Sequence, residues 1–412
     1  MEKLKVATIG FGGRGASITN AFLKYSDEVD FVACVEPRAE VRNKCAEDFG
    51  IKKDMLFDNF HDFFEKGVIA DILVITTMDY LHYEPAMKAM NVGYKNIILE
   101  KPIALSLEEC KEIIYTAEEK GVNMAICHVL RYDPFFVKLK EVVDSGVIGE
   151  VMNIQHTEGA GHIHYTHSFV RGHMSNTETS APFIMQKCCH DFDLLVYLLG
   201  KRFKKVSSFG KLTYFKEENA PEGSGTRCTV DCKCQDECIY DAKKIYENDK
   251  GSYVKALIKE GGFKDIDTAL KTTCYGRCVY KCGNDVCDHQ VVNIEFEDNI
   301  TASLTVSGFD SGRRTEIGGT RGRIEANHWK KTIMIEDHMT GKVTEIKLEQ
   351  NNVDMINHMS QDIIMERNFL DVIKNNAKKV TPIGESLESH LACFAAEIAR
   401  MEDRVVYIDE LR

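Results

Sequence analysis

The sequence has no excess of positive charge, no apolar run long enough to cross a membrane, no internal repeat and no low-complexity tract. Each absence removes a class of function. Lys and Arg number 52 against 64 Asp and Glu, a net charge of -12, so no broad cationic face is expected to neutralise a polymer of phosphates. Nucleic acid is therefore not an expected partner. Nor is a membrane, because no apolar stretch approaches the ~18 residues a spanning helix needs. Met1-Glu2-Lys3 leads directly into the strand-like Leu4 to Ile9 and leaves no room for a secretory signal, so a soluble, cytoplasmic protein is expected. In that setting the 15 cysteines are expected to be thiols or metal ligands rather than disulfides. A chain of 412 residues that is 44% apolar exceeds one hydrophobic core and fills two.

The first 125 residues alternate short β-branched runs with helical patterns, which predicts a parallel sheet wrapped by helices. Strands are expected at Lys5 to Ile9, Asp30 to Val35, Asp71 to Thr76, Asn96 to Leu99 and Asn123 to Cys127. Ser106, with Glu109 three residues on, has the spacing of a capping box and opens a helix that runs to about Lys120 and stops at Gly121. From Val151 the runs lengthen and partly alternate, at Val151 to Glu158, Val206 to Phe215, Val291 to Glu297 and Thr301 to Ser307. That pattern predicts a mostly antiparallel sheet. Two closing helices are expected at Met355 to Asn375 and Leu387 to Met401, separated by Pro382 and Gly384.

Gly10-Phe11-Gly12-Gly13-Arg14-Gly15 follows a strand and opens a helix, the context in which such glycines let the backbone approach a pyrophosphate at a helix N-terminus. Glu36 ends the second strand ~20 residues beyond the last glycine, where an acidic side chain holds ribose hydroxyls. Arg38 lies two residues further, where contact with a ribose phosphate would weaken a preference for NAD. Thr76 and Thr77 end the third strand on the rim where open α/β sheets bind ligands, and His82 starts the next helix. Glu100-Lys101-Pro102 ends the following strand, and proline keeps Lys101 out of helical geometry on an extended edge.

Taken in order, Gly10 to Gly15, Thr76-Thr77 with His82, Glu100-Lys101-Pro102 and Arg131-Tyr132 resemble the Gfo/Idh/MocA family over nearly the whole chain. The resemblance implies an α/β chain: an N-terminal Rossmann dinucleotide-binding domain over 1–127, and a C-terminal α+β domain over 128–412 with a mostly antiparallel open sheet. The second domain is expected to serve the substrate and oligomerisation. In the family the lysine of the Glu-Lys-Pro turn lies beside nicotinamide and substrate, so Lys101 inherits a catalytic role by motif. Gly10, Phe11, Gly12, Gly13, Arg14, Glu36, Arg38, Thr76, Thr77, His82, Glu100 and Lys101 are the residues expected around NAD, with NADP less favoured. Lys187-Cys-Cys-His190-Asp191-Phe-Asp193 resembles the family's helix with a catalytic histidine, and His190 is the match. Many members place Asp four residues earlier, where this sequence has Gln186, which leaves the orientation of His190 to Asp191, Asp193 or Lys187.

His162, His164, His167, Arg171 and His173 crowd one loop. No carboxylate or cysteine sits at a matching interval to complete a metal site there, and hydrogen bonding to a sugar is the expected use. His164, His167, Arg171, Arg131, Tyr132 and Asp191 are the candidate substrate residues. Eight cysteines fall between Cys228 and Cys287, in a segment over 216–290 that interrupts the second domain and resembles a Cys-rich insertion of one subgroup of the family. With few long apolar runs, such a segment gains stability from a thiolate-bound metal. Structural zinc on Cys228, Cys232, Cys238, Cys278 and Cys282 is the first expectation, and an iron-sulfur cluster or free thiols are the alternatives.

The implied activity is an NAD-dependent oxidoreductase passing hydride to or from the hydroxyl or keto carbon of a sugar, cyclitol or sugar derivative, as a homo-oligomer. Two alternatives stand beside it. One is a redox glycosidase that oxidises, eliminates and reduces with recycled NAD. The other is a nucleotide-binding regulator without chemistry, against which the presence of both Lys101 and His190 argues.

Overall fold

In the computed structural model, which describes residues 2–249, 253, 257, 258, 262–349 and 359–412, the chain forms two compact units. The first comprises Met1–Glu141, Phe192–Gly200 and Gln350–Leu391. Its six strands are β1 (Leu4–Ile9), β2 (Val29–Val35), β3 (Leu56–Phe57), β4 (Ile72–Ile75), β5 (Asn96–Leu99) and β6 (Asn123–Ile126). They pair in the order β3-β2-β1-β4-β5-β6, all in parallel. This is the doubly wound order, in which the chain reverses direction of winding at β1 and opens a crevice beyond the ends of β1 and β4. All four residues of β4 are buried, which is why that strand reads as a continuous apolar run. The Leu107–Glu119 helix begins as its spacing predicts, with Ser106 Oγ accepting the Glu109 amide at 3.2 Å.

The expected boundary at residue 127 does not mark the edge of this unit. The helix Met359–Asn375 lays Met365, Phe369 and Leu370 into the core formed by Val6, Ile18, Phe22, Ile72, Val74 and Ile98. That apolar face explains why a segment more than 200 residues downstream returns to the parallel sheet. The expected start of the helix, Met355 to His358, lies outside the described residues.

The second unit comprises Val142–Asp191, Lys201–Glu349 and Ala392–Arg412. Its strands are β7 (Val151–Ala160), β8 (Phe203–Lys211), β9 (His289–Phe296), β10 (Thr301–Ser307), β11 (Ser311–Gly319), β12 (Gly322–Asn327), β13 (Thr332–Asp337), β14 (Val343–Lys347) and β15 (Val406–Tyr407). They form one sheet in the order β14-β13-β12-β11-β7-β10-β9-β8-β15. β7 and β10 pair in parallel and every other pair is antiparallel. β8 stops at Lys211 rather than at the expected Phe215. The Asp288 carboxylate accepts the Thr213 and Tyr214 amides at 2.9 and 2.6 Å, and so draws those residues out of the ladder. The Cys-rich insertion carries two short helices, Ala242–Asn248 and Ile266–Thr272, capped by Asp241 and Asp265. They enclose a small core of Cys228, Ala242, Ile245, Tyr246, Leu257, Ala269 and Leu270. Among the described residues no helix is long and apolar enough to cross a membrane.

Because Phe369 is 3% exposed within the first unit's core, Phe369→Ala should lower stability by about 3–5 kcal/mol. Urea unfolding followed by far-ultraviolet dichroism measures the loss, and an unchanged midpoint would detach this helix from the parallel-sheet core.

Candidate functional site

The glycine turn sits at the crevice between β1 and β4. Gly10 has φ +90°, and a Cβ there would stand 2.7 Å from the Thr76 carbonyl oxygen. A Cβ on Gly15 would stand 2.4 Å from the Gly10 oxygen and 2.7 Å from Thr76 Oγ1. These two glycines let the following helix pack against the strands. Gly13 has nothing within 4 Å of an ideal Cβ, and the helix Gly13–Ala21 starts with no side-chain cap. Its first amides are thus free of a capping group, which fits a pyrophosphate at the helix N-terminus. Thr76 Oγ1 donates to the Gly10 oxygen at 2.8 Å, and Thr77 Oγ1 donates to the Leu81 oxygen at 3.0 Å.

Glu36 follows β2 and is 3% exposed. Its carboxylate accepts the Phe11 amide at 3.0 Å, and the Arg38 amide and Nε at 3.1 and 2.8 Å. Burial works to raise this carboxyl, but the hydrogen bonds from Arg38 and the Phe11 amide outweigh it and hold it below its ordinary range. The carboxylate is ionised where a ribose would lie, and Arg38 is the group a ribose would meet beside it.

Glu100 and Lys101 begin the turn after β5. Arg14 Nε donates to Glu100 Oε1 at 2.6 Å, and the two Arg14 terminal nitrogens each reach an Asp362 oxygen at 2.9 Å. Ser17 Oγ also donates to Asp362 at 2.9 Å. Glu100 Oε2 accepts the Lys101 amide at 2.6 Å, so the charged cluster fixes the backbone that carries Lys101. Two buried histidines hold the next residues. His82 Nδ1 lies 2.7 Å from the Pro102 oxygen and its Nε2 lies 3.2 Å from the Thr77 oxygen. The Ile103 amide donates to His390 Nε2 at 3.0 Å, and His390 Nδ1 lies 2.8 Å from the Ser386 oxygen. Burial, with His128 and Lys101 adding positive field, pushes His390 down to about 3, so it stays neutral and accepts. Asp362 and His390 were not flagged by the sequence, which offers only an acidic residue and a histidine on downstream helices.

Arg131 and Tyr132, read from the sequence as substrate residues, are structural in the fold. Arg131 is 1% exposed. It forks onto the Asp193 carboxylate at 2.7 Å through Nε and Nη2, and its remaining nitrogen serves the Val380 oxygen and Glu385. No donor is left for a ligand. Tyr132 accepts from Thr381 Oγ1 at 3.2 Å within the same core.

In the second unit His190 is 8% exposed on the helix Phe183–Leu199. Its neighbour Asp191 is fully buried, 2.9 Å from His156 Nε2, and accepts Arg313 Nε at 2.7 Å. Burial would raise that carboxyl, but Arg313 and His156 hold it well below its ordinary range. Glu158 joins the network through Arg313 Nε at 2.9 Å and Lys187 Nζ at 3.1 Å. Asp191 therefore ties its helix to β7 and β11, its carboxylate taken up by His156 and Arg313. Gln186, at the position of the family's Asp, donates to Ser180 Oγ at 2.9 Å.

The histidine loop packs into the insertion. His167 stacks on Tyr275 at 4.4 Å between ring centres, and its Nδ1 lies 2.6 Å from the Tyr246 hydroxyl. Burial lowers it to about 4. His164 lies 5.9 Å from Tyr253. Arg171, 3% exposed, donates to the backbone oxygens of Arg277 and Tyr240 at 2.8 and 2.7 Å. The insertion thus takes up His167 Nδ1 and much of the Arg171 guanidinium, two of the groups expected to meet a sugar. Of the five expected metal ligands, Cys228, Cys232, Cys238 and Cys278 line one small cavity together with Cys234. Cys282 is not on that lining and donates instead to the Cys278 oxygen.

A doubly wound sheet with an uncapped, glycine-lined helix start at its switch point defines a dinucleotide-binding protein. Comparison with known proteins makes this specific. Residues 4–128 match an oxidoreductase family with an NAD-binding Rossmann fold, and residues 140–382 match the same family's C-terminal alpha/beta domain. The chain belongs to the Gfo/Idh/MocA oxidoreductase family. Its relatives include a putative oxidoreductase, YteT, of Bacillus subtilis, 24% identical over 63% of this chain and 60% of that protein. Inositol 2-dehydrogenase of Salmonella typhimurium is 26% identical over 50% of this chain and 57% of its own. A 2,7-anhydro-N-acetylneuraminate hydratase of Mediterraneibacter gnavus is 28% identical over 51% and 53%. The chain thus spans about half to three-fifths of the length of these curated relatives. Among solved structures, an Agrobacterium radiobacter oxidoreductase in complex with NAD+, L-tartaric acid and magnesium has the same fold, with TM-score 0.73 and 16% identity over the full length of both chains. Levoglucosan dehydrogenase in complex with NADH and levoglucosan gives TM-score 0.73 at 16% identity, covering 99% of this chain and all of its own.

Removing the carboxylate from Asp193 would leave the buried Arg131 guanidinium short of its forked partner. Asp193→Ala should therefore cost about 3–5 kcal/mol. Thermal unfolding reads this, and a variant as stable as the parent would show that Glu385 alone satisfies the arginine.

Proposed function

We propose that the protein is an NAD-dependent oxidoreductase that passes hydride to or from the hydroxyl or keto carbon of a sugar, cyclitol or sugar derivative. The observation that carries this reading is the placement of Lys101, whose backbone is fixed by Glu100 and whose following residues are held by His82 and His390. The glycine turn and Glu36 support a dinucleotide in the same unit. When bound, the nicotinamide supplies the hydride acceptor or donor. Lys101 is the proposed group that takes the hydroxyl proton during oxidation and returns it during reduction, and His190 is the proposed second acid-base group. Relatives named inositol 2-dehydrogenase and a solved neighbour named levoglucosan dehydrogenase support the substrate class. A relative named a hydratase supports keeping a reaction without net redox change, including oxidation-elimination-reduction of a glycoside, as the second reading. We place the protein in the cytoplasm and expect a homo-oligomer. The outer face of the nine-stranded sheet exposes Phe209 and Tyr407, at 57% and 49%, a surface suited to self-association.

Incubation with NAD and a panel of sugars, cyclitols and aryl glycosides, following NADH absorbance and aglycone release together, separates the two readings. In the substrate found, Lys101→Met should lower turnover by about 10²- to 10⁴-fold while NAD affinity is retained. His190→Asn should also lower turnover. Near-normal turnover of the Lys101 variant would remove this residue from the chemistry.

NAD should bind more tightly than NADP, because the ionised Glu36 carboxylate accepts hydrogen bonds from free ribose hydroxyls and repels a 2′-phosphate. Titration of both cofactors by tryptophan or nicotinamide fluorescence measures the difference, and Glu36→Gln should narrow it. Tighter NADP binding would transfer control of the ribose to Arg38.

A further inference from the structure

The cysteines that solvent can reach are confined to one stretch of the chain. Ten of the 15 thiols are buried, and the five that are partly exposed, Cys232, Cys234, Cys238, Cys274 and Cys282, all lie in the insertion. A thiol buried in apolar surroundings is inert toward dissolved reagents, whereas a partly exposed one can meet them. These five are therefore the thiols open to reaction. The metal expected from the sequence does not account for them: among the described residues no group of three or more His, Cys, Asp and Glu is placed to hold an ion.

Two of the five stand together. The Sγ atoms of Cys232 and Cys234 are 3.5 Å apart, and the loop that carries them is pinned on both sides. Before the pair, the Asp231 carboxylate accepts the Thr226 and Arg227 amides, each at 2.9 Å. Between the two cysteines, the Lys233 amide donates to the Gly223 oxygen at 2.8 Å. Beyond them, the Cys238 amide donates to the Cys234 oxygen at 3.2 Å, and Lys244 Nζ donates to the Gln235 and Asp236 oxygens at 2.6 and 2.8 Å. Lys244 belongs to the helix Ala242–Asn248, so the loop is tied to the folded part of the insertion. Cys232 to Cys234 themselves carry neither helix nor strand. Going from 3.5 Å to the ~2.0 Å of a disulfide asks for a shift of about 1.5 Å, shared by two side chains. Thiols held this close react with each other as one molecule, without a second encounter in solution.

We propose that Cys232 and Cys234 form a dithiol site for thiol–disulfide exchange with a small-molecule disulfide of the glutathione type. In the first step the thiolate of one cysteine attacks a sulfur of the small disulfide. A mixed disulfide forms, the small molecule's own sulfur–sulfur bond breaks, and one small thiol leaves. In the second step the other cysteine gives its proton to water and attacks the protein sulfur of the mixed disulfide. The Cys232–Cys234 bond forms and the second small thiol leaves. Two protein thiols are oxidised and one small disulfide is reduced to two thiols, with no further oxidant and no net change in protons. Excess small thiol reverses the sequence, since exposed disulfides are the labile ones. The site is separate from the proposed hydride chemistry and does not rest on it.

The test is to incubate the full chain with oxidised glutathione, block the remaining thiols with N-ethylmaleimide, and read the peptides by mass spectrometry. The expected product is a disulfide between Cys232 and Cys234, formed ahead of any other and removed by excess reduced glutathione. Cys232→Ser and Cys234→Ser should each stop at a lasting glutathione adduct on the cysteine that remains, because the second step has lost its thiol. The parent chain decides the proposal even where a variant fails to fold. A lasting glutathione adduct on the parent, or a disulfide joining either cysteine to Cys228, Cys238 or Cys278, overturns it. So does recovery of both cysteines as maleimide adducts after an exposure that oxidises the denatured chain.

Discussion

The guanidinium of Arg14 is the point on which the first unit's chemistry depends. It leaves the glycine turn, forks onto Asp362, 348 residues away, and reaches Glu100, 86 residues away, so three distant segments share one cation. Burial acts to raise both nearly buried carboxyls: Arg14 and Lys101 hold Glu100 below its ordinary range, whereas Asp362 stays above its own despite Arg14. The consequence is mechanical as well as electrostatic. An ionised Glu100 accepts the amide of Lys101, and the proposed acid-base residue is thereby tied to the helix that would meet a pyrophosphate. Removing the charge would loosen the cofactor loop and the lysine together.

His390 completes this arrangement by being neutral. His390 must accept the Ile103 amide, which an imidazolium cannot do, and burial enforces the neutral form. The second unit uses the opposite device next to His190. There Asp191 is buried and held well below its ordinary range, and Arg313 is shared between it and the buried Glu158. Ion pairs with removed partners are costly and well-satisfied ones are close to neutral in stability, so the return on both networks is positional: each fixes the residue next to the one proposed to act.

Local signals in the sequence were legible where the physics is local. The glycine spacing located the turn at the switch point, Ser106 capped its helix, and Thr301 to Ser307 alternated strictly enough to give β10 without error. What stayed hidden is the identity of partners across long separations. Arg131 belongs to a family motif and looked available, yet Asp193 and Glu385 take its donors. Nothing in an isolated Asp362 or His390 distinguishes it from a surface residue on an amphipathic helix. β11 to β14 escaped notice because they are polar, partly exposed hairpin strands with weak alternation. The return of the last helices to the parallel sheet was hidden for the same reason: the apolar face of Met359–Asn375 shows that the helix packs, not upon what.

Arg171 shows how a residue of the expected chemical type ends in a different role. A histidine and arginine loop beside a proposed carbohydrate enzyme suggests hydroxyl recognition, and such groups do hydrogen-bond sugars. Here the loop follows directly on β7, and the insertion closes over it: Tyr275 stacks on His167, Tyr246 meets its ring nitrogen, and Arg171 is held by carbonyls on both sides of the insertion. The loop and the insertion are consequently one packed body. Any change in how the insertion folds must move the chain that leaves the central strand of the sheet. That coupling gives the cysteine segment a structural consequence for the second unit even though none of its thiols is assigned to the chemistry.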